Sequence, residues 1–540
     1  MIKSFCRLFI LTVLFTTSSL TLAETFRARA TASGAMNGTS YADAWALTGA
    51  NSIVWASTDT AGAVDAGDTL YVCDSQTRSS TWTPAAAGES GSKIVIDFNC
   101  PESKGRLVAS GPGVKLLDVQ QSHLRFVFRT DGVSAIKGGG SQFNQADCVT
   151  VGSIGGSLTG IEFYDSEQWR ANTNDEDISD CSDEGIQILG LANAGYLIDG
   201  MDLVRVRNDI LRVGSNSGVA TNGTIQHSSF RDNGSANNNV DGIAEDSGGA
   251  IIDDIWCDKI LSTNAGAACL DVQNGVSAGN PVTITSSWIT RSRKGLKNVS
   301  GHDSLRASGI IMENVAAPIV SGSTASNIAI NVWNNTAYYT SIITLSLSTS
   351  TGVVWDIHNS AWWPTTSKVT GTNSTTDYGM IANPPGPSSS QFSYNLYRAI
   401  GADTMNFRCC SSNTLREFSN WQTNCSAGAD DSCDETGSST STDFVLSITL
   451  TDPLDPATSV TPTDPSWAYP QAGSPLRDAG TTPPAWAKDF YGRAFVAPYD
   501  IGAVDSSYGP PDPLGSVPAP DPPIIKSHIG GGSPATGGIW

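Results

Sequence analysis

The chain has 540 residues, with 52 acidic against 31 basic side chains and a net charge of −21. Only 15% of residues are charged, whereas glycine alone supplies 54. This balance excludes a nucleic-acid partner, because a phosphate backbone needs a basic footprint, and it suits a soluble extracellular protein.

The chain opens MIKSFCRLFILTVLFTTSSLTLAETF: a short basic start at Lys3 and Arg7, an apolar run from Leu8 to Phe15, then small and polar residues leading to Ala23. The pattern predicts a secretory leader over residues 1–23, cut after Ala23. No later segment offers about 18 uninterrupted apolar residues, so no integral membrane segment is expected after cleavage. Ten cysteines follow the leader: Cys73, Cys100, Cys148, Cys181, Cys257, Cys269, Cys409, Cys410, Cys425 and Cys433. Their even count fits an oxidising compartment. Their pairing is not readable from spacing, although the last four lie close enough to staple one local loop. Zinc is disfavoured there, because Cys409 and Cys410 are adjacent and no histidine joins them.

Long helical patterns are absent, and short β-branched runs recur between Gly, Asn and Asp. YLIDGMDLVRV, TIQHSSFRDN, AIIDDIWCDK, TITSSWITRS, GIIMENVAAP and NIAINVWNNT each place one apolar residue five positions after another. The pairs are Ile198 and Leu203, Ile225 and Phe230, Ile251 and Trp256, Ile284 and Ile289, Ile310 and Val315, Ile328 and Trp333, at intervals of 27, 26, 33, 26 and 18 residues. A second strand is predicted in each coil from EGIQI, DILRV, DGIAE, ACLDV and KGLKN, whose third residues, Ile186, Leu211, Ile243, Leu270 and Leu296, point inward. Repeats of this kind predict an all-β, single-stranded parallel β-helix, or β-solenoid, over residues 24–400. Residues 401–508 form a cysteine-containing loop and closing region, and residues 509–540 a flexible Pro/Gly-rich tail.

The chain resembles the secreted right-handed parallel β-helix proteins of the pectate-lyase-like superfamily. TASGAMNGTSYADAWALTGA followed by AGDTLYV is similar to their opening region. GSPLRDAG and DFYGRAFVAPYDIGAVD are similar to the closing segment of bacterial β-helix proteins, through Ser474, Pro475, Asp478, Ala479, Gly480, Asp489, Gly492, Arg493, Asp500, Ile501 and Gly502. The resemblance implies the architecture, while chemistry must come from the site.

Strands on successive coils stack about 4.8 Å apart, so aligned side chains form columns. One predicted outward column runs Glu184, Asp209, Asp241, Ala268, Lys294, and another Gln187, Arg212, Ala244, Asp271, Lys297. Stacked carboxylates repel, which raises at least one pKa and makes an acid available near neutrality. Glu184, Asp209, Asp241 and Asp271 are therefore the candidate catalytic carboxylates, with Arg212, Lys294, Lys297, His302 and Arg306 as candidate substrate-binding groups. NNNVDGI faintly resembles the Asn-x-Asp-Gly motif of polygalacturonase-type hydrolases, which would make Asp241 the acid; Gly301 and His302 resemble the start of their Gly-His-Gly motif, but Asp303 replaces its second glycine and the adjacent Asp pair is absent. Asp241 is equally a turn former before glycine. NTNDEDISDCSDEG is either a solvated loop or a calcium site built on Asp175, Asp177, Asp180 and Asp183. Trp256 and Trp333 read as buried packing, Trp288 is ambiguous, and Trp169, Trp362 and Trp363 read as exposed platforms.

These features predict a carbohydrate-active protein whose partner is an extracellular polysaccharide, hydrolysing glycosidic bonds by paired carboxylates. The alternatives are a lyase that eliminates across a uronate, using Lys297 or His302 as base, and a noncatalytic glycan-binding solenoid.

Overall fold

In the computed structural model the described residues run from 23 to 509, with breaks at 50–51, 132, 141–145, 154–157, 167–175, 190–194, 215–221, 234–239, 247–248, 262–266, 273–280, 299–303, 322–327, 341–344, 347–352, 365–378, 383–390, 398–405, 409–414, 417–437, 440–467 and 471. All but the last residue of the predicted leader, all but the first of the predicted tail, Trp169, Asp175, His302 and the last four cysteines lie outside the described residues.

Among the described residues the elements are strands, apart from a short 3-10 turn at Ser506–Tyr508. Among the described residues the strands form three sheets of 14, 13 and 12 members. Each coil gives one strand to each sheet: Tyr196–Asp199 to the 14-stranded, Asp202–Val204 to the 13-stranded and Leu211–Val213 to the 12-stranded. The next coil repeats the order with Thr224–Gln226, Ser229–Asn233 and Ile243–Glu245, each paired in parallel with its predecessor. The chain is thus a parallel β-helix with three strands per coil, where the repeats alone suggested two. The extra strand arises because the five-residue apolar pairs from Ile198 and Leu203 to Ile284 and Ile289 span a corner, with one member on each side.

That corner has a local cause. Gly200, His227, Asp254, Ser286, Gly309, Asn334 and Asn359 occupy it in successive coils, with φ of 77°, 47°, 53°, 53°, 65°, 52° and 50°. Left-handed backbone costs most residues about 1–2 kcal/mol, while Gly, Asn and Asp adopt it more readily. Just beyond the corner, buried polar side chains link the coils: Ile310 N–H donates to Asn335 Oδ1 at 2.9 Å, Asn335 N–H to Ser360 Oγ at 3.2 Å, and Ser360 N–H to Asn395 Oδ1 at 2.9 Å. The inward column of the 14-stranded sheet runs Ile198, Ile225, Ile252, Ile284, Ala307, Val332, Ile357, and that of the 13-stranded sheet Leu203, Phe230, Cys257, Ile289, Met312, Ala337, Trp362. Burying an aliphatic side chain of this kind contributes about 1.5–3 kcal/mol.

Three predicted pairs are misphased. Ile252 and Cys257 face the lumen, leaving Ile251 52% exposed; Ile310 and Val315 are buried beside corners; Val332 rather than Ile328 holds the inward place. Trp333 is half-buried and lies against the His358 ring, with centroids 4.2 Å apart, while Trp362 is buried in the lumen instead of forming an exposed platform. Trp256 and Trp288 lie outside the lumen, stacked at 5.8 Å beneath the closing segment, where they pack with Ile311, Ala468, Phe490, Ala503 and Val504. Polar bonds support this cover: Ser308 Oγ donates to the Lys488 carbonyl at 2.8 Å, and Lys488 Nζ meets Asp253 Oδ2 at 2.7 Å. Disulfides join Cys73 to Cys100, Cys148 to Cys181 and Cys257 to Cys269.

Candidate functional site: a carboxylate and lysine column

The 12-stranded sheet carries the second predicted column in register. Thr150, Gln187, Arg212, Ala244, Asp271, Lys297 and Val320 are successive partners. Each precedes or follows an inward apolar residue, so strand alternation turns it to the outer face. Lys297 pairs with Asp271 across adjacent rungs, and both are buried, at 5% and 0% exposure. Arg212 remains half-buried and fans its guanidinium across three carboxylates: Asp246 at 3.1 Å, Asp209 at 3.8 Å and Glu184 at 3.9 Å. Burial alone would lower its pKa, but these acids reverse that and hold it up.

The first column is also formed, yet it is enclosed along the edge of the sheet. Glu184, Asp209 and Asp241 are 4%, 5% and 1% exposed. Asp209 Oδ1 accepts from Asp241 N–H at 3.0 Å, and Asp241 Oδ1 from Ala268 N–H at 2.7 Å. Each aspartate therefore caps the coil that follows, rather than closing a turn on its own backbone. Burial pushes Asp209 up to about 7, against the opposing pull of the Asp241 N–H and Arg212. Burial, then Asp271 and Asp209, raises Asp241 well above the carboxylate range. Glu184 is pushed up to about 10 by burial and by Asp147.

Asp147 belongs to the same column one coil earlier, since Cys148 N–H donates to the Glu184 carbonyl just as Gly185 N–H donates to that of Asp209. It was missed although its signal is in the sequence: DCV places it two residues before inward Val149, the same offset as Glu184 before Ile186. Asp246, the closest carboxylate to Arg212, was also missed because it lies one residue beyond its strand.

The other end of the column is basic. Lys294 is half-buried, and among the described residues its side chain makes no ion pair or hydrogen bond. Burial, followed by the charge of Lys297, lowers its pKa to about 8 despite the opposing influence of Asp271 and Asp241. Arg306 does not join it. Its strand, Leu305–Ser308, belongs to the 14-stranded sheet between Val282–Thr285 and Ile328–Trp333.

The predicted calcium ligands separate as well. Asp177 Oδ2 accepts from Asp202 N–H at 2.7 Å, and Asp180 pairs with Arg205 at 2.9 Å. Of the three that are described, only Asp183 joins the column, where carboxylate oxygens of Asp147, Asp183 and Glu184 all lie within 4.8 Å of one another. Asp183 Oδ1, Asp241 Oδ2 and Asp246 Oδ1 are buried without a hydrogen-bond partner among the described residues. Burial and mutual repulsion favour protons on the Asp147, Asp183 and Glu184 group, and the same all-oxygen set fits a hard divalent cation such as calcium, which would displace those protons.

Among solved structures, the chain is similar to a pectate lyase, Pel9A, at 15% identity and TM-score 0.41, covering 90% of this chain and 98% of that one. It is also similar to a mannuronic acid specific polysaccharide family 6 lyase from human gut microbiota, at 12% identity and TM-score 0.35, covering 62% of this chain and 76% of that one. No family model and no curated protein matches the chain.

Proposed function

We propose that the protein is a secreted polysaccharide lyase that cleaves a uronate-containing glycan by β-elimination, with Lys294 as the base. The observation that carries this reading is an amine without an ion pair, lowered to about 8, at the end of a carboxylate-lined column. A lysine at its ordinary pKa of about 10.4 is almost wholly protonated at neutral pH, and burial is the usual means of tuning one into a base. In the reaction, neutral Lys294 takes the proton from the sugar carbon that bears the carboxylate. The electron pair left behind forms a carbon–carbon double bond as the adjacent glycosidic C–O bond breaks, and the leaving oxygen takes a proton from water. Arg212 stands three rungs from Lys294, about 14 Å along the stack, and holds the carboxylate of another uronate on the same chain. The oxygens of Asp147, Asp183 and Glu184, four or more rungs from Lys294, would hold calcium, which would neutralise the carboxylates of sugars bound further along the column.

Hydrolysis by a carboxylate pair has less support. Asp209 and Asp241 are enclosed, and each commits one oxygen to a backbone N–H, so neither is open to a glycosidic oxygen. The disulfides and the predicted leader support action outside the cytoplasm. The test incubates the full chain and calcium with polygalacturonate and polymannuronate, following reducing ends and ultraviolet absorbance together. Elimination gives both signals. New reducing ends without the unsaturated chromophore would replace this reading with hydrolysis.

A further inference from the structure

We propose that the groove around Arg306 and Trp486 is a second, noncatalytic glycan site that takes a carboxylate-bearing sugar. It lies on the outer face of the 14-stranded sheet, whereas the lysine and carboxylate column lies on the 12-stranded sheet. The groove encloses about 310 Å³ and is lined by Thr224, Ile251, Thr283 and Arg306. These four residues are register partners on consecutive coils, so they form one outward column about 14 Å long.

Three properties of that column point to an acidic sugar. Arg306 has no carboxylate or hydrogen-bond partner among the described residues; its contact is with the face of Trp486, 5.7 Å from the ring centroid. An arginine without a counterion, in a chain of net charge −21, presents a planar fork matched to a carboxylate. Ile251 exposes 52% of its surface inside the groove, giving apolar area for the C–H face of a pyranose. The hydroxyls of Thr224 and Thr283 flank it on the neighbouring rungs, where they can bond sugar hydroxyls. A neutral sugar would use the isoleucine and threonines but would leave the guanidinium unanswered. The site would hold a polymer on the protein while another stretch of glycan lies along the lysine and carboxylate column.

The choice of a uronate rests on the lyase reading, but the two can fail separately. The measurement is retention of the full chain in native gels cast with polygalacturonate, or with neutral xylan, for wild type, Arg306→Ala and Arg306→Lys. A lost bidentate charge-assisted contact weakens binding roughly tenfold or more. Arg306→Ala is therefore expected to lose about tenfold in affinity for polygalacturonate and Arg306→Lys to recover part of it. Turnover of oligosaccharides too short to reach both sheets should be unchanged in Arg306→Ala. If Arg306→Ala is retained like wild type, or if wild type binds xylan equally well, the proposal is wrong. Loss of melting temperature in Arg306→Ala shifts the decision to Arg306→Lys, whose retention equal to wild type would also overturn it. Arginine-dependent retention without turnover on any uronate polymer would sustain this site and refute the lyase.

Discussion

Replacing Lys294 with arginine separates a base from a fixed charge. Arginine keeps the positive charge and much of the reach, but it stays protonated at any working pH. With Lys294 lowered to about 8, the neutral amine makes up about 9% of molecules at pH 7 and about 91% at pH 9. At the ordinary lysine value the neutral fraction at pH 7 would be only about 0.04%, so the site enriches the reactive form roughly two-hundredfold. The rate of chromophore formation at low substrate should accordingly rise about tenfold from pH 7 to pH 9, with a midpoint near 8. Lys294→Arg and Lys294→Ala should each lose about 10²–10⁴-fold, because general-base catalysis contributes that much. Stopped assays of ultraviolet absorbance across pH 6–10, with calcium held constant, give the profile. An arginine variant within about threefold of wild type, or a wild-type profile flat through pH 8, would refute the assignment of Lys294 as base.

Thermal melts should show the cost of the enclosed carboxylates. The folded pKa of Asp209, about 7, lies above its unfolded value of about 3.9, so its contribution to stability is complete below about pH 4 and is lost as pH rises through 7. The melting temperature should fall across that window, and Asp209→Asn should flatten the slope; an unchanged slope would contradict the burial argument. Calcium at pH 7 should raise the wild-type melting temperature, and Asp183→Asn should shrink the increment measured by calorimetry in calcium against chelator. At the next corner of the coil, Asn314 has φ of 54°, so Asn314→Val should cost about 1–2 kcal/mol in denaturant unfolding, while Asn314→Gly should be near neutral. Phe490→Ala should cost about 3–5 kcal/mol and quicken proteolysis of the closing segment, unless that cover contributes nothing to the fold.

The 12-stranded sheet was legible because its strands are short and strictly alternating: with Leu211, Ile243, Leu270 and Leu296 inward, the column from Gln187 to Lys297 could be aligned without coordinates, and its register is the one observed. The phase of the other two sheets was not. Trp256, Trp288 and Ile311 are apolar on the outside because the closing segment covers them, and Ile255 and Ile310 are apolar at corners, so alternation no longer marks the lumen. Arg306, a few residues after Lys297, is grouped with it as a substrate-binding candidate in the sequence. In the solenoid, that short separation carries the chain to a different sheet. The enclosure of Asp209 and Asp241 was illegible for another reason. It depends on backbone N–H groups of following coils, which no spacing of side chains reveals.

The left-handed corner has a consequence for how such a protein can diversify. Across it, inward residues stay five apart in every coil from Ile198 and Leu203 to Ile357 and Trp362. From the 13-stranded to the 12-stranded sheet the separation varies, from Leu203 to Leu211 in one coil and from Phe230 to Ile243 in the next. The elbow works as a fixed gauge: it resets the phase of each coil, so insertions elsewhere do not propagate as slips. Length changes are thereby tolerated on the margins of the column, where they alter what a glycan meets, while the lysine and its carboxylate neighbours keep their rungs. Selection can revise the rim of the site without renegotiating the wall that supports it.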